Sequence, residues 1–288
     1  MINLSGTGVA LVTPMKIDGS LDIAGLRKIV DHVVQGVDYI VALGTTGEVA
    51  TLDSDEKTLV MDTVKQQLAG RKPLVYGHGG NDTGKLISQM KDMDWSGIDA
   101  VLSVSPYYNK PSQAGIIAHY EKFADACPRP VILYNVPGRT SSNLTAATTL
   151  QLAKHPNIIG TKEASGNVEQ CMAIAKDKPA DFWLLSGDDM LTPSLIAIGT
   201  QGVISVLANA FPVEFSKMVK HCLSDQFADS STIWKKWIDL NPLLYEEGNP
   251  VGIKAVLRQL GVCEDSVRLP LMAASQNLSD RISSCSVR

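Results

Sequence analysis

The chain has 288 residues, 44% of them hydrophobic and 19% charged, and 26 Lys and Arg against 30 Asp and Glu give a net charge of −4. This is a globular composition at a length that suits a single α/β barrel. The charge leaves no electrostatic footprint for nucleic acid, no basic stretch suggests a membrane surface, and no apolar run approaches the roughly 20 residues that a bilayer crossing needs. Met1-Ile2-Asn3-Leu4-Ser5 lacks the basic-then-apolar pattern of a signal peptide. Cys127, Cys171, Cys222, Cys263 and Cys285 are odd in number and scattered, as expected of reduced thiols in a cytoplasmic protein. His32, His78, His119, His155 and His221 fall at no metal-ligand spacing, so no metal is expected.

Strand and helix signals alternate along the chain. Gly8 to Pro14 reads as a first apolar strand, and Leu21 to Gly36 as a helix with apolar residues at helical spacing. Tyr39 to Leu43 is the second strand, breaking at Gly44-Thr45-Thr46-Gly47-Glu48, and Asp53 to Leu68 is a capped helix. Pro73 to Gly77, Ala100 to Val104 and Pro130 to Tyr134 are strands three to five, separated by helices over Thr83 to Met93 and Ser112 to Ala126. Leu144 to Lys154 is helical, and Ile158-Ile159-Gly160-Thr161-Lys162-Glu163 is strand six. Helices over Val168 to Lys176 and Leu191 to Ile198 flank strand seven, Phe182 to Leu185, and Gly202 to Val206 is strand eight. Eight short, two-sided apolar strands alternating with helices predict a parallel (β/α)8 TIM barrel over residues 1–210. Helical patterns over Val213 to Leu223, Ser231 to Leu244 and Val251 to Leu260 predict a C-terminal helical extension over residues 211–288, of which Ser279 to Arg288 carries little apolar pattern and is expected to be loosely held.

In such a barrel the strand C-termini and the loops after them build the active site. Lys162 stands near the end of strand six, where burial favours the neutral amine, a nucleophile able to form a Schiff base with a carbonyl substrate; the plain alternative is a lysine that snorkels out or pairs with Glu163. Thr45 and Thr46 sit between glycines in a turn whose N–H groups and hydroxyls suit a small carboxylate, or serve only as local caps. Tyr107 and Tyr108 follow strand four and Tyr134 ends strand five. A phenol can relay protons in a hydrogen-bonded chain with a hydroxyl such as Thr45, although a lone tyrosine is more often packing. Arg139, on the rigid turn Asn135-Val136-Pro137-Gly138-Arg139-Thr140, could hold a carboxylate in bidentate fashion or be a solvated surface charge. Gly77 to Asn81 lacks the spacing of a phosphate loop and is read as a turn, and Asp188-Asp189 is read as helix capping.

Gly44-Thr45-Thr46-Gly47-Glu48, Pro106-Tyr107-Tyr108-Asn109, Tyr134 to Thr140, Gly160 to Ala164, Ser186-Gly187-Asp188-Asp189 and Gly202 to Val206 together resemble the dihydrodipicolinate synthase family, the 4-hydroxy-tetrahydrodipicolinate synthases of the pyruvate-dependent class I aldolase superfamily. The resemblance runs from about Gly6 to about Ser275, in register with the barrel. It implies a lyase that condenses pyruvate with L-aspartate 4-semialdehyde in the diaminopimelate–lysine pathway, with no cofactor because the imine is the electron sink. By position it implies that Lys162 forms the imine and that Thr45, Tyr134 and Tyr108 relay protons, with Tyr108 or Tyr107 reaching across a dimer interface. It further implies that Thr45 and Thr46 hold the pyruvate carboxylate, that Arg139 binds the semialdehyde, and that the Gly187 and Ile204 carbonyls lie near the lysine. A homo-oligomer, a tetramer as a dimer of dimers, is implied too.

Two places depart from the family pattern. The feedback site of lysine-inhibited members, at Val49, Ser54, Lys57, Asn81, Lys85 and Tyr107, keeps Asn81 and Tyr107 but has lysines where an acid and a histidine are expected; free lysine is therefore expected to inhibit weakly or not at all. Gly252 stands where the family often has proline, on a stretch expected to be remote from the barrel mouth. The other functions weighed are an aldolase of sugar acids, which would favour a smaller neutral group at Arg139, and a catalytically silent binding homologue, which would lack some of Lys162, Thr45, Tyr108 and Tyr134.

Overall fold

Short runs rich in branched apolar residues form the strands of the barrel. The computed structural model describes residues 2–286, with β1 (Gly6–Ala10), β2 (Tyr39–Ala42), β3 (Leu74–Gly77), β4 (Ala100–Val104), β5 (Val131–Asn135), β6 (Ile158–Glu163), β7 (Trp183–Ser186) and β8 (Gly202–Ser205). They follow one another in sequence order as a closed parallel barrel, as the alternation of signals predicts. Nearly every strand residue is buried, so the strands read as continuous apolar runs rather than as an alternation. Between β5 and β6 the register slips by one residue, from Val131 opposite Ile158 to Ile132 opposite Gly160. That irregularity sets the phase of the strand ends, so that Tyr134 faces Lys162 and Asn135 faces Glu163.

Helices α1 (Ile23–Val33), α2 (Ser54–Leu68), α3 (Thr83–Met90), α4 (Gln113–Ala126), α5 (Pro137–Thr140), α6 (Ala146–Leu152), α7 (Val168–Asp177) and α8 (Thr192–Ala197) connect the strands. Their starts are written locally: the side chains of Asp22, Asp53, Asp82, Ser112, Thr145 and Asn167 each accept a hydrogen bond from a backbone N–H in the first turn. Asp53 forms a full capping box with Glu56. After β8 come α9 (Pro212–Leu223), α10 (Phe227–Trp234), α11 (Leu240–Leu243), α12 (Val251–Gln259) and α13 (Gln276–Ser286).

By packing density the chain gathers into two compact units. One holds residues up to Ser5 with Leu74–Ile204, and the other holds Gly6–Pro73 with the residues from Ser205 on. In the second unit Trp237 stacks on Phe211 (ring centroids 5.6 Å apart) and packs against Phe215 (5.9 Å), anchoring the helices that follow the last strand.

Two expectations for the C-terminal part need correction. The helical run from Ser231 to Leu244 is broken, because Pro242 has no N–H to continue a ladder and fits only near a helix start; the chain turns after α10 and restarts as α11. The stretch from Ser279 is not loose. It belongs to α13, whose Leu278 and Ile282, four residues apart, are both buried, and Arg281 pairs with Glu246 at 2.6 Å. Val287 and Arg288 lie outside the described residues.

Candidate active site

In the first unit the site is built at the ends of β5 and β6. Side chains alternate along a strand, so the paired residues Tyr134 and Lys162 share one face while Asn135 and Glu163 share the other. Lys162 is only 6% exposed, and its Nζ lies 4.5 Å from the centre of the Tyr134 ring. A lysine that snorkelled to water would be exposed, and pairing with the neighbour is excluded because Glu163 is occupied by other partners on the opposite face. The amine is thus brought against a phenol in a site largely closed to water.

Gly187, on the turn after β7, completes this corner. Its N–H donates to the Glu163 carbonyl at 2.8 Å, and a Cβ built there would stand 3.0 Å from Lys162 Cε and 2.6 Å from the Ala164 Cβ. Only a residue without a side chain leaves the lysine its place. Asp188 is not the helix cap expected of it, since α8 starts from Leu191 without a side-chain cap; its carboxylate instead accepts from the N–H groups of Met190 and Leu191 at 3.0 Å each, closing the turn before the helix, and Asp189 is buried beside it. Ile204 lies buried in β8.

The arginine turn forms α5, with Pro137 at its first position and Ser141 in the left-handed region at φ 57°. Thr140 donates its hydroxyl to the Ser142 carbonyl at 2.7 Å, which tightens the turn. Arg139 is exposed, and none of the carboxylates of the described residues pairs with it. Tyr107 and Tyr108 are exposed on the loop after β4, Tyr108 at 88% and with φ 73°, a costly conformation for a bulky residue. Asn81 braces that loop by donating to the Tyr107 carbonyl at 3.1 Å, and Asn109 donates back to the Asn81 carbonyl at 3.1 Å.

The threonine turn belongs to the second unit. Thr45–Gly47 is one turn of 3-10 helix; Thr45 is half-buried and Thr46 is buried. A Cβ at Gly44 would meet nothing within 4 Å, which leaves the backbone open to a ligand there. Behind the turn, Glu48 is held in the left-handed region at φ 55°. Its carboxylate accepts from Lys254 Nζ (2.5 Å) and from the backbone N–H of Arg268 (3.0 Å), and Asn249 Nδ2 donates to Thr46 Oγ1 at 3.0 Å.

These contacts overturn the expectation that the stretch around Gly252 is remote from the site, since Asn249 and Lys254 flank Gly252 and touch the threonine turn. Gly252 itself is a packing residue: a Cβ there would stand 2.5 Å from Leu244 Cα and 2.6 Å from the Leu243 carbonyl. Glu48, Asn249 and Lys254 are the residues that sequence reasoning missed. The available signal was a lysine in the middle of an apolar helical run, where a solvated charge has no place. Among the described residues, no helix is long and apolar enough to cross a membrane. No group of three or more His, Cys, Asp or Glu among them could hold a metal ion.

Residues 3–285 match the model of the dihydrodipicolinate synthetase family. The chain belongs to this family. It is 45% identical over 284 residues to the 4-hydroxy-tetrahydrodipicolinate synthase of Cytophaga hutchinsonii, covering 98% of this chain and 96% of that one. Among solved structures it is similar to a chloride-inhibited dihydrodipicolinate synthase from Acinetobacter baumannii complexed with pyruvate, with TM-score 0.94, 37% identity and 98% of each chain covered. It is also similar to the synthase of Cyanidioschyzon merolae with lysine bound, with TM-score 0.94, 38% identity, 98% of this chain and 97% of that one. The barrel fold of the chain is thus that of the family's solved structures.

Proposed function

We propose that the chain is a 4-hydroxy-tetrahydrodipicolinate synthase, a lyase of the class I aldolase type that condenses pyruvate with L-aspartate 4-semialdehyde through an imine on Lys162. The observation that carries this is the buried Lys162 amine set over the Tyr134 ring and beside Gly187. The Lys162 amine adds to the pyruvate ketone and water leaves, giving the imine. Loss of a methyl proton gives the enamine, whose carbon attacks the aldehyde carbon of the semialdehyde, and the new alkoxide takes a proton. The semialdehyde's amine then adds to the imine carbon and displaces Lys162, which closes the ring and frees the enzyme.

Tyr134, Thr45 and Tyr108 carry the protons, Thr45 and Thr46 hold the pyruvate carboxylate, and Arg139 holds the carboxylate of the semialdehyde by a bidentate contact. The guanidinium of Arg139, which pairs with no carboxylate among the described residues, supports the last assignment. The enzyme acts as a homo-oligomer, a tetramer made as a dimer of dimers, and the exposed, strained Tyr108 supports a role toward a partner subunit. Its place is the cytoplasm, in keeping with the free, buried thiols of Cys127, Cys171 and Cys222.

The test is the initial rate with pyruvate and the semialdehyde, coupled to the NADPH-dependent reductase that consumes the product. Turnover should vanish in Lys162→Ala and collapse in Arg139→Ala. An enzyme that is inactive with the semialdehyde, yet traps pyruvate on Lys162 under borohydride, would be an aldolase of another acceptor such as a sugar acid. Light scattering of the purified protein decides the oligomeric state.

A further inference from the structure

On the face of β6 opposite Lys162 lies a carboxylate that the reaction does not use. Glu163 is 2% exposed and pairs with no cation among the described residues; its oxygens accept from Asn135 Nδ2 (3.0 and 3.1 Å), Gln170 Nε2 (2.9 Å) and the backbone N–H of Ser165 (2.8 Å). A buried charge persists only when it is well supplied with donors, and donors to a carboxylate make the stronger class of hydrogen bond. The partners are themselves joined. Asn135 Nδ2 also donates to Asn143 Oδ1 (2.8 Å), and Asn143 Nδ2 donates to Gln170 Oε1 (2.8 Å). Glu163, Asn135, Asn143 and Gln170 thus form a closed ring of side chains.

The ring joins two parts of the site. Asn135 and Glu163 immediately follow Tyr134 and Lys162 in β5 and β6, so a shift of these two members of the ring moves the phenol and the amine with it. Asn143 lies just beyond the arginine turn, and Asn135 Oδ1 accepts from the Leu144 N–H at 3.0 Å. The exposed turn that carries Arg139 therefore starts right after Asn135 and ends on residues that Asn135 holds.

We propose that Glu163 is a positioning residue, the hub that sets the stance of Lys162 and Tyr134 on one side and of the Arg139 turn on the other. The inference rests on the reading of Arg139 as the clamp for the semialdehyde carboxylate. A glutamine at 163 would turn an N–H group toward positions where the native partners offer only N–H groups, so the ring has to open. An alanine at 143 would cut the side-chain link between the ring and the end of the arginine turn, leaving only the backbone of Leu144 on Asn135, and would leave Glu163 with its own donors.

The experiment measures KM for each substrate and the rate of borohydride trapping of pyruvate in Asn143→Ala, Glu163→Gln, Arg139→Ala and the double variant Asn143→Ala/Arg139→Ala. Expected in Asn143→Ala is a rise in the semialdehyde KM of about fivefold, the factor for one lost hydrogen bond. Its pyruvate KM and trapping rate should be unchanged. Glu163→Gln should slow trapping as well as raise the semialdehyde KM. In the Arg139→Ala background, Asn143→Ala should add nothing, because the two act through one contact. A ring that serves stability alone would lower the melting temperature and move neither KM, which overturns the inference; so does an additive effect in the double variant. If Arg139→Ala itself leaves the semialdehyde KM unchanged, the reading of the clamp fails first and takes the inference with it. Should Glu163→Gln not fold, Asn143→Ala at its half-exposed position decides the matter.

Discussion

Gly187 makes the room that Lys162 fills: a Cβ at this position would meet Lys162 Cε at 3.0 Å and the Ala164 Cβ at 2.6 Å. The Gly187→Ala change must push the amine from its place over the Tyr134 ring. A displacement of this kind costs on the order of 100-fold in rate. Steady-state turnover and the rate of pyruvate trapping by borohydride should fall together, and the melting temperature should fall as well because the Ala164 Cβ cannot rotate away. Normal trapping in this variant would show that the lysine has slack.

Lys254 and Glu48 form an ion pair sealed from solvent, with side chains 0% and 2% exposed. Removing one partner of such a pair leaves a bare charge and costs about 3–5 kcal/mol. Lys254→Met should therefore destabilise the fold by that amount in urea denaturation. The double change Lys254→Met/Glu48→Gln should recover most of it, since no unpaired charge then remains. Equal stabilities of the single and double variants would rule out this account.

His119 is buried between Thr83, which bonds its Nδ1 at 2.8 Å, and the ring of Phe123, and burial pushes its pKa down from 6.5 to about 4. Below pH 6.5 the unfolded chain takes up a proton that the native chain refuses until about pH 4, so stability falls as the pH falls through this window. The loss amounts to about 3 kcal/mol at most. Asn in place of His119 keeps a partner for Thr83 and does not titrate. The stability of wild type relative to His119→Asn should drop between these two pH values, and parallel profiles would refute the assignment.

The expectation that Lys57 and Lys85 belong to a feedback position can be tested directly, and Lys85 is exposed in the first turn of α3. A bound lysine would meet like charge there. Free lysine should leave the initial rate unchanged at sub-millimolar concentration, and Lys85→Glu should strengthen any residual inhibition about fivefold, as one charge contact allows. Strong inhibition of the wild-type enzyme would count against the substitution being decisive.

Much of this molecule is legible along the chain because its order is local. Each strand is a short apolar run, six of the eight helices that connect the strands start on a side-chain cap, and consecutive strands are neighbours in the barrel. Lys162 stands out as a charge at the end of a buried strand. The ring around Glu163 is harder to see, since Asn135, Asn143 and Gln170 are ordinary polar residues until the slip in register after Val131 turns Asn135 and Glu163 to the same side. The support of the threonine turn is harder still. Asn249 and Lys254 reach Thr46 and Glu48 across more than 200 positions of chain, 203 and 206 respectively, and no local pattern reports a pairing at that range. The tail misleads for a different reason: Leu278 and Ile282 are a sparse stripe, enough for one helix face but faint among serines.

The distance in sequence between Glu48 and Lys254 also orders events at birth. A ribosome adds about 5–20 residues per second, so the 206 positions between them take about 10–40 s to make. For that time the glutamate has no ammonium to meet and stays hydrated, and the turn that carries Thr45 and Thr46 lacks its brace. A nascent chain released before Lys254 would keep Lys162 on its strand and lose the brace behind Thr45 and Thr46.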